Sequence, residues 1–249
     1  MALTSSDTSQ PSSATASQRL PVVMIPSLGR PASDFLIIAP ALEHAGFRLV
    51  LLDPRPQWPG SPSLHDLAAD SLAQLDALGI DSFHLVGHAF GNRLARTIAA
   101  DAPQRVASLA LLAAGGLVEP PADVWDGLAR CFDMSLPPDV HLSEVKRVFF
   151  APGNDASVWR DGWMPGVSKY QRFAVRSTPR SDWWGASVDR VLVVQGLSDV
   201  IAPPDNGRRY VAEFAPHARL VEIEGAGHAL LPERPREIAA ALLEHLTQA

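Results

Sequence analysis

Three short stretches carry residue types that could do chemistry together: Gly87-His88-Ala89-Phe90-Gly91, Gly196-Leu197-Ser198-Asp199 and Gly225-Ala226-Gly227-His228. A histidine held by a carboxylate is a base near neutral pH. Asp199 and His228 supply one carboxylate and one imidazole, residue types that could together draw a proton from water or from an acidic C–H or O–H of a substrate. The first stretch has the glycine spacing of the strained strand-to-helix turn that presents a nucleophile. Its glycines let the turn close without a Cβ clash and let the next helix pack on a sheet. Its centre, however, is Ala89, and a methyl group cannot attack a carbonyl.

Each stretch begins where an apolar run ends. The runs, at 21–25, 48–53, 83–86, 106–114, 191–195 and 220–223, predict six strands. Helical spacing recurs over 32–45, 64–78 and 92–100, with Gly46 and Gly79 ending the first two, and residues 235–247 form a closing helix. Mostly apolar strands separated by helices describe a parallel sheet covered on both faces. A segment at about 118–187 breaks the rhythm. It carries Trp125, Trp159, Trp163, Trp183 and Trp184, several prolines and no strand pattern. Its place between the fourth and fifth strands predicts a cap above the carboxyl edge of the sheet, where open α/β sheets hold ligands.

The 249 residues are 47% hydrophobic and 19% charged, with a net charge of −6. That fits one globular domain able to bury its own core. A single cysteine, Cys131, excludes an intrachain disulfide and a cysteine-based zinc site. An acidic chain without a basic run is a poor partner for nucleic acid. Charges interrupt every apolar stretch before it reaches the length of a membrane helix. There is no nucleotide-binding glycine pattern and no convincing metal-ligand spacing, the His84/His88 pair included, so no cofactor is expected. The first 19 residues are rich in Ser and Thr and lack an apolar run, which predicts a disordered tail before a domain at 20–249. With no secretory-signal pattern, the expectation is a cytoplasmic monomer or homodimer that acts on a small molecule.

From Leu20 to Leu246 the sequence resembles the α/β-hydrolase fold family. The resemblance rests on the elbow spacing at 87–91, the chain order of elbow, acid and histidine, the cap position, and the segments VVQGLSDVIAPP and EGAGHALLPERP. It implies an α/β fold with a mostly parallel sheet, helices on both faces and a helical cap insertion. It implies that Asp199 orients His228 as general base, and that the backbone N–H groups of Leu28 and Phe90 form an oxyanion hole. The reaction it puts foremost is hydrolysis of a carboxylic-ester-type bond in a small, largely apolar carbonyl compound. The family places Ser, Asp or Cys where this chain has Ala89, which closes the acyl-enzyme route. An inactivating Ser→Ala change and a natural loss would both account for that. Two further departures favour natural divergence: Pro26-Ser27-Leu28-Gly29 replaces the common His-Gly of the oxyanion loop, and residues 54–61 replace a Gly-rich loop. Two other readings stay open. One is lyase, isomerase or cofactor-free oxygenase chemistry run by the His228/Asp199 dyad. The other is a binding or receptor protein that kept the pocket and lost the reaction.

Each candidate also has a plainer reading. His228 could be a satisfied core histidine and Asp199 a turn residue, but each supports the other as a catalytic pair. Ser27, His88, Trp159 and Trp163 are the candidate pocket residues, with Ser27 offering a hydroxyl and His88 packing or bonding beside the site. Lys169, Arg172, Arg176 and Arg180 recur at helical spacing. They read first as a solvated helix face and second as a contact for a substrate carboxylate. Cys131 has no histidine partner in its motif and reads as inert.

Overall fold

The computed structural model describes residues 19–185 and 188–248. Its strands are β1 (Val22–Ile25), β2 (Leu49–Leu51), β3 (Phe83–His88), β4 (Val106–Leu112), β5 (Val191–Gly196) and β6 (Ala218–Ile223). They form one sheet in the order β2-β1-β3-β4-β5-β6, and every neighbouring pair is parallel. β1, β3 and β5 are buried at every position, which is why they read as unbroken apolar runs. The chain leaves β1 toward one edge and returns to β3 on the other side. Sheet order therefore reverses between β1 and β3, and the carboxyl ends of strands at such a reversal frame a crevice.

The helices are α1 (Ala39–His44), α2 (Leu64–Ala77), α3 (Phe90–Asp101), α4 (Ala122–Arg130), α5 (Pro138–Phe149), α6 (Pro165–Ser177), α7 (Asp205–Glu213) and α8 (Pro235–Thr247). Successive strand residues point to opposite faces. Val23, Ile25, Leu85 and Val193 pack with α2, α3 and Tyr210 of α7, whereas Val22, Met24, Val86 and Val194 pack with α1 and α8. α2 starts where a capping box forms: Ser63 Oγ accepts from the Asp66 amide and the Asp66 carboxylate accepts from the Ser63 amide.

Some expectations need correction. The helix expected at 32–45 is a 3-10 turn (Ala32–Ile37) followed by α1. Pro40 lies in the first turn of α1 and has no N–H with which to continue a preceding helix. α7 had no counterpart in the apolar pattern, because its buried residues are Asn206, Gly207 and Tyr210. The expected tail falls on residues 1–18, outside the described residues. Arg19 is described, and its guanidinium lies 4.8 Å from the centroid of the Phe47 ring.

Between β4 and β5 the described residues hold α4, α5 and α6 and no strand. Val124, Leu128, Val145, Phe149, Trp159 and Trp163 form a separate apolar cluster there. α6 instead joins the main core through Val167, Tyr170 and Ala174. Among the described residues, no helix is long and apolar enough to cross a membrane.

Candidate active site

The elbow is built at the end of β3. Ala89 holds φ 52 and ψ −108, a positive-φ conformation that a residue with a Cβ adopts rarely and at a cost. A Cβ on Gly87 would strike the Gly91 carbonyl, and one on Gly91 would strike the Ile25 carbonyl. Both glycines are thus required by close approach, which brings the start of α3 against the ends of β1 and β3. The turn is tied to β4: the Ala89 amide donates to the Leu112 carbonyl at 2.9 Å, and Asn92 Nδ2 donates to the Ala113 carbonyl at 3.0 Å.

Asp199 and His228 meet across the ends of β5 and β6. Asp199 Oδ1 accepts from the amides of Ile201 (2.9 Å) and Ala202 (2.8 Å). His228 Nδ1 lies 2.8 Å from Oδ2 and 3.0 Å from Oδ1. With Nδ1–H given to the carboxylate, Nε2 carries the lone pair and can take a proton. Nothing among the described residues hydrogen-bonds Nε2.

A residue that the sequence did not flag frames this histidine. Glu233 is buried, and its Oε2 accepts from the amides of Gly227 and Leu230, both at 2.9 Å. Its Oε1 accepts from the Ala151 amide at 2.7 Å and from Asn154 Nδ2 at 2.6 Å. One carboxylate therefore joins the His228 loop to the chain after α5. The only advance signal was an acidic residue in an otherwise apolar, Gly-rich turn.

The amides of Leu28 and Phe90 have no acceptor among the described residues, and Phe90 opens α3, where the helix dipole favours negative charge. The loop carrying Leu28 is stitched to the cap. The Gly29 amide donates to Gln171 Oε1 at 2.8 Å, and the Met164 amide donates to the Gly29 carbonyl at 2.9 Å. Gly29 sits at φ +56 where a Cβ would be 2.7 Å from the Phe132 ring.

These groups converge on a cavity of about 450 Å³ lined by Ser27, Leu28, Ala89, Phe90 and His228 from the sheet side and by Trp125, Leu128, Phe149, Arg172 and Arg176 from the cap. Trp159 and Trp163, expected at its wall, are not there. They stand behind Phe149, with ring centroids 5.4 and 5.3 Å from its own. Their faces clasp the buried guanidinium of Arg30 at 4.5 and 4.9 Å. Arg30 also donates to both oxygens of Asp34 and to the Asp161 carbonyl. A buried cation needs such company, and Trp125 takes the place at the wall.

His88 is likewise not at the wall. It is fully buried, and its Nε2 donates to the His228 carbonyl at 2.8 Å. Arg172 departs from the expected solvated face, since it is half-buried at the cavity wall, whereas Arg176 borders the cavity and stays exposed. Lys169 stays exposed, and Arg180 belongs to a short turn beyond α6. Cys131 is buried, and burial pushes its thiol up to about 12, so it supplies no thiolate.

Burial pushes His88 down to about 3, and His84 and His245 down to about 4. The unfolded chain takes up these protons near the ordinary histidine value of 6.5, while the folded chain resists them. Their stabilising contribution is complete above pH 6.5 and is lost as pH falls toward 4 and 3. Tm measured by circular dichroism is expected to decline steadily across that window. A flat Tm across it would show that these rings protonate as freely in the folded chain as in the unfolded one.

Residues 21–138 match the family model described as alpha/beta hydrolase fold. Over 215 residues the chain is 29% identical to rhodomycin D methylesterase DauP of Streptomyces sp. (strain C5), covering 72% of each protein. A hydrolase from Pseudomonas aeruginosa PA01 superposes with a TM-score of 0.77 at 24% identity, over 94% of this chain and 92% of that one. The enol-lactonase from Burkholderia xenovorans LB400 superposes with a TM-score of 0.77 at 22% identity, over 92% of each.

Proposed function

Because the chain belongs to the α/β-hydrolase fold superfamily, we propose that it hydrolyses an ester-type bond in a small carbonyl compound, with His228 activating water directly and no acyl-enzyme. The observation that carries this reading is that one cavity is lined by His228, whose Nδ1 is held by Asp199, and by Leu28 and Phe90, whose amides have no acceptor among the described residues. Ala89, at the elbow, has no atom with which to attack.

The steps follow from those groups. His228 Nε2 takes a proton from water as the water oxygen bonds to the carbonyl carbon. The carbonyl π electrons move to oxygen, and the Leu28 and Phe90 amides stabilise the resulting oxyanion. Asp199 steadies the imidazolium. The C–O bond to the leaving group then breaks, the carbonyl re-forms, and His228 returns its proton to the leaving oxygen. The products are an acid and an alcohol, and no cofactor is consumed. DauP is by name a methylesterase, and the Burkholderia protein is by name an enol-lactonase, which agrees with this class of bond. Ala89 is taken here as a natural residue, in keeping with the unusual Ser27 at the cavity wall. The proposal places the enzyme in the cytoplasm.

The test is turnover of p-nitrophenyl butyrate by the full chain and by His228→Ala. The expected result is a loss of roughly 10²–10⁴-fold in kcat/KM with the circular dichroism spectrum unchanged. Equal turnover in the two proteins would overturn the mechanism. The absent nucleophile favours a second reading, a ligand-binding protein. No ester turnover, together with ligand affinity that His228→Ala leaves unchanged, would establish that reading instead. A non-ester substrate whose conversion needs His228 would establish dyad-run lyase, isomerase or oxygenase chemistry.

A further inference from the structure

The chain carries a net charge of −6, yet the cavity wall presents three arginines, Arg93, Arg172 and Arg176, against one acidic residue, Glu119. Elsewhere arginines find carboxylates, as in Arg55–Asp70, Arg130–Glu144 and Arg219–Glu244. At the cavity, none of the three reaches a carboxylate within 4.0 Å among the described residues. Arg172 Nη2 is buried with no hydrogen-bond partner among them. Its guanidinium is held in place over the Phe132 ring, 4.6 Å from the centroid. Arg172 and Arg176 are one helical turn apart on α6, with Val175 beside them at the wall. Arg93 lies one turn beyond Ala89 on α3. Burial and the nearby Arg176 both disfavour the charge on Arg172, a strain that an anion would relieve.

We infer that the cavity takes a carboxylate-bearing carbonyl compound, an ester or lactone with a free acid group, whose carboxylate is held by Arg172 and Arg176 with Arg93 adding to the positive field. The planar fork of a guanidinium matches a carboxylate in two parallel hydrogen bonds. At a half-buried guanidinium such as that of Arg172 the attraction is stronger than in bulk water. The acid group would orient the substrate, while the carbonyl meets the Leu28 and Phe90 amides. This specificity deepens the hydrolytic proposal and rests on it for the reaction, but binding can be read separately.

The experiment is calorimetric titration of the full chain with monomethyl glutarate and with its neutral counterpart, dimethyl glutarate. The half-ester is expected to bind about tenfold or more tighter, with the advantage shrinking as NaCl is added. Arg172→Ala and Arg176→Ala should each remove most of that advantage. Arg172→Lys should keep a part, because it retains charge and loses the fork. Arg176 is exposed, so its variant tests the idea even if Arg172→Ala fails to fold. Equal binding of the two esters, no binding of the half-ester, or an advantage that survives in the double variant would each overturn the inference. Half-ester binding without turnover would overturn the hydrolytic reading alone, and turnover of neutral esters with no half-ester preference would overturn this inference alone.

Discussion

Ala89→Ser is expected to raise ester turnover by roughly 10³-fold or more and to add an initial burst of product. Most of a nucleophile's setting is already built. The elbow holds φ 52 at position 89, and serine carries the same Cβ as alanine, so the exchange adds no backbone strain. His228 Nδ1 is engaged by Asp199 at 2.8 Å, which leaves Nε2 to accept the new hydroxyl proton. The Leu28 and Phe90 amides have no acceptor among the described residues and are available to an oxyanion. In enzymes that act through a serine, losing the nucleophile costs about 10⁶ in kcat, while oxyanion donors and binding alone retain about 10³–10⁴ over water. Restoring the hydroxyl should recover a large share of that difference. Stopped-flow release of p-nitrophenol from the butyrate ester, with a mass increase from a phosphonate inhibitor, reads both effects. A serine variant with neither burst nor faster turnover would mean that Nε2 is not aligned with position 89. The elbow would then serve only to place the Phe90 amide.

Glu233→Ala should lower unfolding stability by about 3–5 kcal/mol, because it removes a buried carboxylate that accepts four hydrogen bonds from neutral amides. The substitution strands the amides of Ala151, Gly227 and Leu230 in a buried turn. Each buried donor left without an acceptor costs about 1–3 kcal/mol, less whatever entering water recovers. Glu233→Gln should cost less, since one carbonyl oxygen remains to accept. Urea unfolding of the three proteins measures the series. The same variants should lose turnover in the same order, because Glu233 holds the turn from which His228 projects. Unchanged stability in the alanine variant would show that water replaces the carboxylate at little cost.

Much of the sheet and the elbow was legible in the chain itself. β1, β3 and β5 read as apolar runs because both of their faces are covered, and Gly87 and Gly91 marked a turn that no larger residue can form. The chain order of elbow, acid and histidine located Asp199 and His228, whose hydrogen bond the structure then supplies. The tryptophans misled because an aromatic residue carries no information about what it will face. Trp159 and Trp163 serve a buried arginine distant in sequence, while Trp125 reaches the cavity. α7 was missed because few of its apolar residues are buried.

What the amino-acid order determined, then, was strand burial and the glycine turn, set by local geometry and period, and the missing nucleophile; the acid–histidine pair came from the chain order shared with the α/β-hydrolase family. Tertiary structure alone decided how the cap folds back over the sheet. That path sets Arg172 and the exposed Arg176 at the wall of a cavity, and it brings Glu233 to the amides of a distant loop. The physical reason is that a helix repeats every 3.6 residues whichever face it buries. Only the contacts across the fold choose that face.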